Sequence, residues 1–147
     1  MEPNQPNLKD ALHSQTQALP AAGASNAFTG FRVPKGPSRD GFELELIVPA
    51  LTALVDTETV TYELEHSSDN STWSDVGDAV SENASTATVS GGITFVLTGS
   101  ETPGTPGEVR QRFKIPSHAE EYVRLSQAVS ASGGDNTAQS ATLNLLS

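Results

Sequence analysis

FELELIVPALTALVDTETVTYELEHSSDNSTW, residues Phe42 to Trp73, decides how the rest of the chain is read. In its first part Phe42, Leu44, Leu46 and Val48 alternate with Glu43 and Glu45, the period-two signature of a strand with one buried face. Val60, Tyr62 and Leu64 repeat the pattern against Thr61, Glu63 and Glu65. The run Ser67 to Thr72 then supplies Ser, Asp and Asn, whose side chains bond back to nearby backbone and stabilise turns, before the single tryptophan, Trp73. These two strands are expected to form the core strand pair. Residues Pro49 to Glu58 between them read as a loop in preference to a short helix.

The composition agrees with strands. At 147 residues the chain suits one domain, which buries roughly two thirds of its extended surface. Hydrophobic residues make up 35% and aromatics only 5%, so the core has to come from Val, Leu, Ile and a few Phe on short strands joined by turns. A net charge of −10 with only eight Lys and Arg argues against direct nucleic-acid binding, because phosphate contacts need basic residues in number. It points instead to an acidic, solubilising surface. There is no cysteine, which removes disulfides and thiolate metal sites. The first residues, MEPNQPNLKDALHSQ, show no basic run followed by an apolar stretch, and no segment approaches the roughly 20 apolar residues of a membrane span. A soluble cytoplasmic product, or one released by lysis, is therefore expected.

Taken in order, residues 1–15 read as an extended N-terminal arm, poor in apolar residues apart from Leu8, Ala11 and Leu12 and either disordered or ordered only against a neighbour. Residues 16–147 read as a single all-β sandwich. Strands are expected at Thr16 to Leu19, within Ser25 to Val33, in the Phe42 to Trp73 stretch and weakly at Thr86 to Val89. Further strands follow at Ile93 to Leu97, Val109 to Ile115, Glu121 to Val129 and Ala138 to Leu145. Loops fall at VPKGPSRDG, which carries Lys35 and Arg39, and at SETPGTPG, residues 100–107, which has no apolar anchor and is expected to project. Eight or more short strands with turn signals between them and no helix argue for a β-sandwich, jelly-roll-like.

No catalytic, cofactor-binding or metal-binding residues are expected. His13, His66 and His118 lie far apart, and no GxSxG, HExxH or phosphate-binding glycine loop occurs. Asp69, Asn70, Asp75 and Asp78 are oxygen ligands of the kind calcium uses, but they lack the glycine and closing glutamate of an EF-hand, so turn chemistry explains them better. Asn70 and Asn83 begin glycosylation-type triplets that carry little weight without a secretory signal. The informative charge feature is a basic stripe. Arg110, Arg112 and Lys114 share one face of one strand in an otherwise acidic chain. Either they pair across strands with Glu43 and Glu45, or with Glu63 and Glu65, or they contact an acidic partner or second copy, joined by Lys35 and Arg39.

The order of features resembles the jelly-roll cement, or decoration, proteins of tailed-bacteriophage capsids. The resemblance rests on LKDALHSQTQALPAAGASNAF, FELELIV, YELEHSSDNSTWSDVG and RFKIPSHAEEYVRLSQAV, which together span nearly the whole chain. In that family a turn like SSDNSTW follows a strand of the YELEHS kind, and an R-x-x-x-P segment precedes a strand like EYVRLSQAV. Here those positions are Arg112, Pro116, Tyr122, Arg124 and Leu125. The longer, Pro-bearing beginning and the SETPGTPG insertion depart from the pattern. The resemblance implies a virion structural protein on the capsid exterior, bound to the major capsid protein and to itself as a homodimer or homotrimer. Its contact residues would include Leu8 and Leu12 of the arm, Lys35, Arg39, Arg110, Arg112 and Lys114, and it would need no enzyme activity and no cofactor. The alternative is a carbohydrate- or receptor-binding β-sandwich module of a phage tail or fibre, with Trp73, Tyr62 and Tyr122 as candidate aromatics.

Overall fold

The computed structural model describes residues 13–34, 41–76, 93–100 and 107–146. The expectations placed on Leu8, Leu12, Lys35 and Arg39, on Asp78, on a strand at 86–89 and on most of the SETPGTPG loop lie outside those residues. The strands are β1 (Ser14–Ala18), β2 (Ser25–Ala27), β3 (Phe31–Arg32), β4 (Glu43–Val48), β5 (Thr59–Ser67), β6 (Ser74–Asp75), β7 (Thr94–Thr98), β8 (Val109–Lys114), β9 (Tyr122–Val129) and β10 (Ser140–Leu146). β1 begins at Ser14, so the last two residues of the expected arm belong to the sheet.

The strands form two antiparallel sheets packed as a sandwich. The first has the order β1-β10-β4-β8. The second has the order β2-β9-β5-β6, with β3 also on β9 and β7 also on β5. Alternation decides which side chains meet between them. Leu44, Leu46 and Val48 of β4, Val60, Tyr62 and Leu64 of β5, Val123, Leu125 and Val129 of β9, and Ala141, Leu143 and Leu145 of β10 are all buried in one core. Full burial of a Leu or Val side chain contributes roughly 1.5–3 kcal/mol, so this inward set dominates stability. Gln127 and Tyr62 bring polar atoms into the same layer.

The two strands of the Phe42 to Trp73 stretch are not a hydrogen-bonded pair. β4 lies between β10 and β8, whereas β5 lies between β9 on one side and β6 and β7 on the other. The period-two pattern specifies a buried face and leaves the hydrogen-bonding partner open. Residues 49–58 make the difference: they form the expected loop, and its Leu51 and Leu54 are fully buried, so the crossing between sheets also closes one end of the core. β4 and β5 therefore lie in opposite sheets and send their inward side chains into one core.

After β5 the chain turns as its residues dictate. The Asp69 carboxylate accepts hydrogen bonds from the Ser71 and Thr72 amides, each at 2.9 Å, and from the Ser67 hydroxyl at 2.8 Å. Asn70 takes the left-handed conformation at φ 58°, which a short amide side chain tolerates. These donors, Thr72 foremost, hold the Asp69 carboxyl below its ordinary range. The turn delivers Trp73 to the outer face of the second sheet.

Candidate functional site

Two outward faces carry chemistry. On the first sheet, β8 is an edge strand whose register with β4 sets Lys114 opposite Glu43, Arg112 opposite Glu45 and Arg110 opposite Ile47. Nη1 of Arg112 lies 3.5 Å from Oε1 of Glu43, and its Nε lies 4.0 Å from Oε2 of Glu45. Arg110 reaches Glu45 at 4.0 Å and Glu108, just before the strand, at 3.6 Å. Of the acidic partners considered for the stripe, Glu43 and Glu45 are the ones the register supplies, because β5 with Glu63 and Glu65 belongs to the other sheet. A polar row then crosses all four strands. The Ser14 hydroxyl donates to Oδ1 of Asn144 at 2.7 Å, and Nδ2 of Asn144 donates to Glu45 at 3.3 Å, beside Arg112.

These ion pairs are long and wet. The Arg110 and Arg112 side chains remain 59% and 52% exposed, and pairs of that kind contribute at most about 1 kcal/mol. Each guanidinium has five N–H donors, so most of its capacity still faces outward. Lys114 makes no ion pair with a described residue; with Phe42, Glu43 and Ile115 it lines an open depression of ≈ 370 Å³.

On the second sheet, register places Arg124 of β9 opposite Glu65 of β5, which in turn lies opposite Asp75 of β6. Nε of Arg124 donates to Glu65 at 2.8 Å while its guanidinium carbon stands 4.2 Å from the centroid of the Trp73 ring. The ring edge abuts the backbone of Gly30 between β2 and β3: a Cβ there would stand 2.5 Å from Cη2 of Trp73. Burial first, and then the neighbouring Asp75 carboxylate, push the Glu63 carboxyl above its ordinary range. Of the other aromatics, Tyr62 is fully buried and Tyr122 half-buried. A sugar platform needs a free aromatic face, and Tyr62 offers none.

The remaining candidates are spent locally. Nδ1 of His66 accepts the Glu120 amide at 3.0 Å, and the Asp69 carboxylate is committed to its turn. Among the described residues no three His, Asp or Glu side chains converge for a metal ion, and no helix is long and apolar enough to cross a membrane. Sequence reasoning did not bring Arg124, Trp73 and Glu65 together. Their separations in sequence carry no signal until the β5–β9 register is known. No protein-family model, no curated protein and no solved structure matches the chain.

Proposed function

We propose that this chain is a capsid cement protein: a virion structural protein of jelly-roll type that binds the outside of the major capsid shell and stabilises it. The observation that carries the reading is the strand order. With β2 and β3 counted as one strand and the two-residue β6 left aside, the sheets run first-eighth-third-sixth and second-seventh-fourth-fifth. Two nested Greek keys would give such an order, and this supports the jelly-roll reading that the resemblance to tailed-phage decoration proteins implies. Such a domain serves as a rigid plate, and its work is done at surfaces.

The basic stripe supports the assignment of a contact. Arg110, Arg112 and Lys114 gather on one strand of a chain with net charge −10, and the exposed ion pairs of Arg110 and Arg112 contribute little to the fold. The contact with the major capsid protein is assigned to this stripe together with Leu8, Leu12, Lys35 and Arg39. Self-association as a homodimer or homotrimer then lets weak contacts sum over many symmetry-related copies.

Quantitative mass spectrometry of purified particles tests the reading. The expected result is a copy number matching the capsid lattice; absence of the chain, or only a few copies, would overturn it. A chain lacking residues 1–12 keeps β1 whole and should bind empty shells more weakly. Equal affinity would remove the arm from the contact.

A further inference from the structure

We infer that β7 is a self-pairing edge, through which two copies of this chain join their second sheets about a two-fold axis centred on Val96. The inference does not depend on the cement reading. Its basis is the direction of the backbone groups. The Leu64 amide donates to the Ile93 carbonyl at 3.0 Å, and the Gly99 amide donates to the Glu58 carbonyl at 2.8 Å. In an antiparallel ladder the groups alternate, so residues 93, 95, 97 and 99 face β5. Thr94, Val96 and Thr98 then turn both N–H and C=O to the outer edge, and no described residue bonds to them there. The Val96 side chain is 47% exposed, one of only two large hydrophobic residues exposed among the described residues.

The other edges are managed against pairing. β8 carries Arg110, Arg112 and Lys114, so a two-fold there would set cation against cation. On β1, the Ala18 carbonyl is taken by the side-chain amides of Asn26 and Gln127, each at 2.9 Å. β2, β3 and β6 have only two or three residues each. Among the described strands β7 and β1 are both five residues long and free of charge and proline, and of the two only β7 has no outward backbone group taken by a side chain.

A second copy is the occupant that fits. Two chains of net charge −10 repel, so a contact between them has to avoid acidic residues, and residues 93–100, ITFVLTGS, have none. Antiparallel pairing about Val96 sets Val96 against its own copy and Thr94 against Thr98 of the other copy. All three residues with outward backbone groups on each chain are then satisfied, and the side-chain pairs are Val–Val and Thr–Thr, which favour neighbouring strands. The half-buried Phe95, packed against the core, lies beside Leu97 of the other copy and loses further exposure.

Sedimentation equilibrium on the full chain, at concentrations up to about 1 mM, reads this directly. A monomer–dimer equilibrium is expected. Val96→Lys, which sets two cations opposite each other on an otherwise unbonded edge, should weaken it about tenfold or more with an unchanged circular dichroism spectrum. Val96→Cys provides a check that needs no loss of folding. Directly opposed hydrogen-bonded residues stand about 5.5 Å apart at Cα, within disulfide range, so in this cysteine-free chain oxidation should give a covalent dimer, while Arg112→Cys should not. A strict monomer, a trimer, a dimer indifferent to Val96→Lys, or failure of Val96→Cys to cross-link would each overturn the inference.

Discussion

Arg124 holds Trp73 against the second sheet: its guanidinium carbon lies 4.2 Å from the ring centroid, and the same side chain donates to Glu65 at 2.8 Å. Arg124 is thus the link between the turn after β5 and the first part of β9. Both partners of the ion pair are mostly shielded, with side chains 24% and 17% exposed, unlike the pairs of the basic stripe.

Removing that link should be measurable. Arg124→Met forfeits a charge-assisted hydrogen bond and a cation–π contact, and a loss of about 2 kcal/mol in urea unfolding is expected. Trp73 is the only tryptophan, so its fluorescence reports the same event. Gly30→Ala should shift that emission as well, because the added methyl group occupies the place of the ring edge. Unchanged emission in both variants would show that Trp73 is not held there.

Glu63 should be a site where charge costs stability. Its folded carboxyl is raised, first by burial and then by Asp75 beside it, so the folded state holds the proton more tightly than the unfolded state. Stability from this group is present below the unfolded carboxylate pKa of about 4.3 and is lost as pH rises through the folded value. Glu63→Gln should therefore be more stable than the parent at pH 7, with the advantage shrinking on acidification. A pH-independent difference in thermal midpoint would reject this account.

The Tyr62 hydroxyl is buried without a hydrogen-bond partner among the described residues, and burial pushes its pKa well above 10. Tyr62→Phe should raise stability by about 1 kcal/mol at neutral pH, since it removes an unsatisfied polar group at nearly constant volume. Above pH 10 the unfolded chain loses this proton and the folded chain keeps it, so the parent loses up to about 1.4 kcal/mol per pH unit that the variant does not. Calorimetry at pH 7 and pH 11 measures both effects.

The stripe should behave differently from these interior sites. Arg112→Ala is expected to change stability by less than about 1 kcal/mol, because its ion pairs are long and exposed. The double reversal Arg110→Glu, Arg112→Glu should weaken shell binding far more than it lowers the thermal midpoint. The reverse outcome would make the stripe a purely intramolecular feature.

The sequence by itself determined the class of fold, the inward set and the turn chemistry. Alternation at Leu44, Leu46 and Val48 and at Val60, Tyr62 and Leu64 has one physical reading, a strand with one buried face, and these side chains are all buried. Ser67 to Thr72 likewise bend through bonds between near neighbours, which local sequence specifies. Only the tertiary structure decided the partners. Hydrogen-bonding neighbours in a sheet are chosen by how two faces pack and where crossings fit, information spread over the whole chain. It placed β4 and β5 in opposite sheets and gave Arg112 to Glu43 and Glu45. It brought Arg124 to Trp73, and it turned the backbone groups of Thr94, Val96 and Thr98 to an edge where no described residue bonds to them.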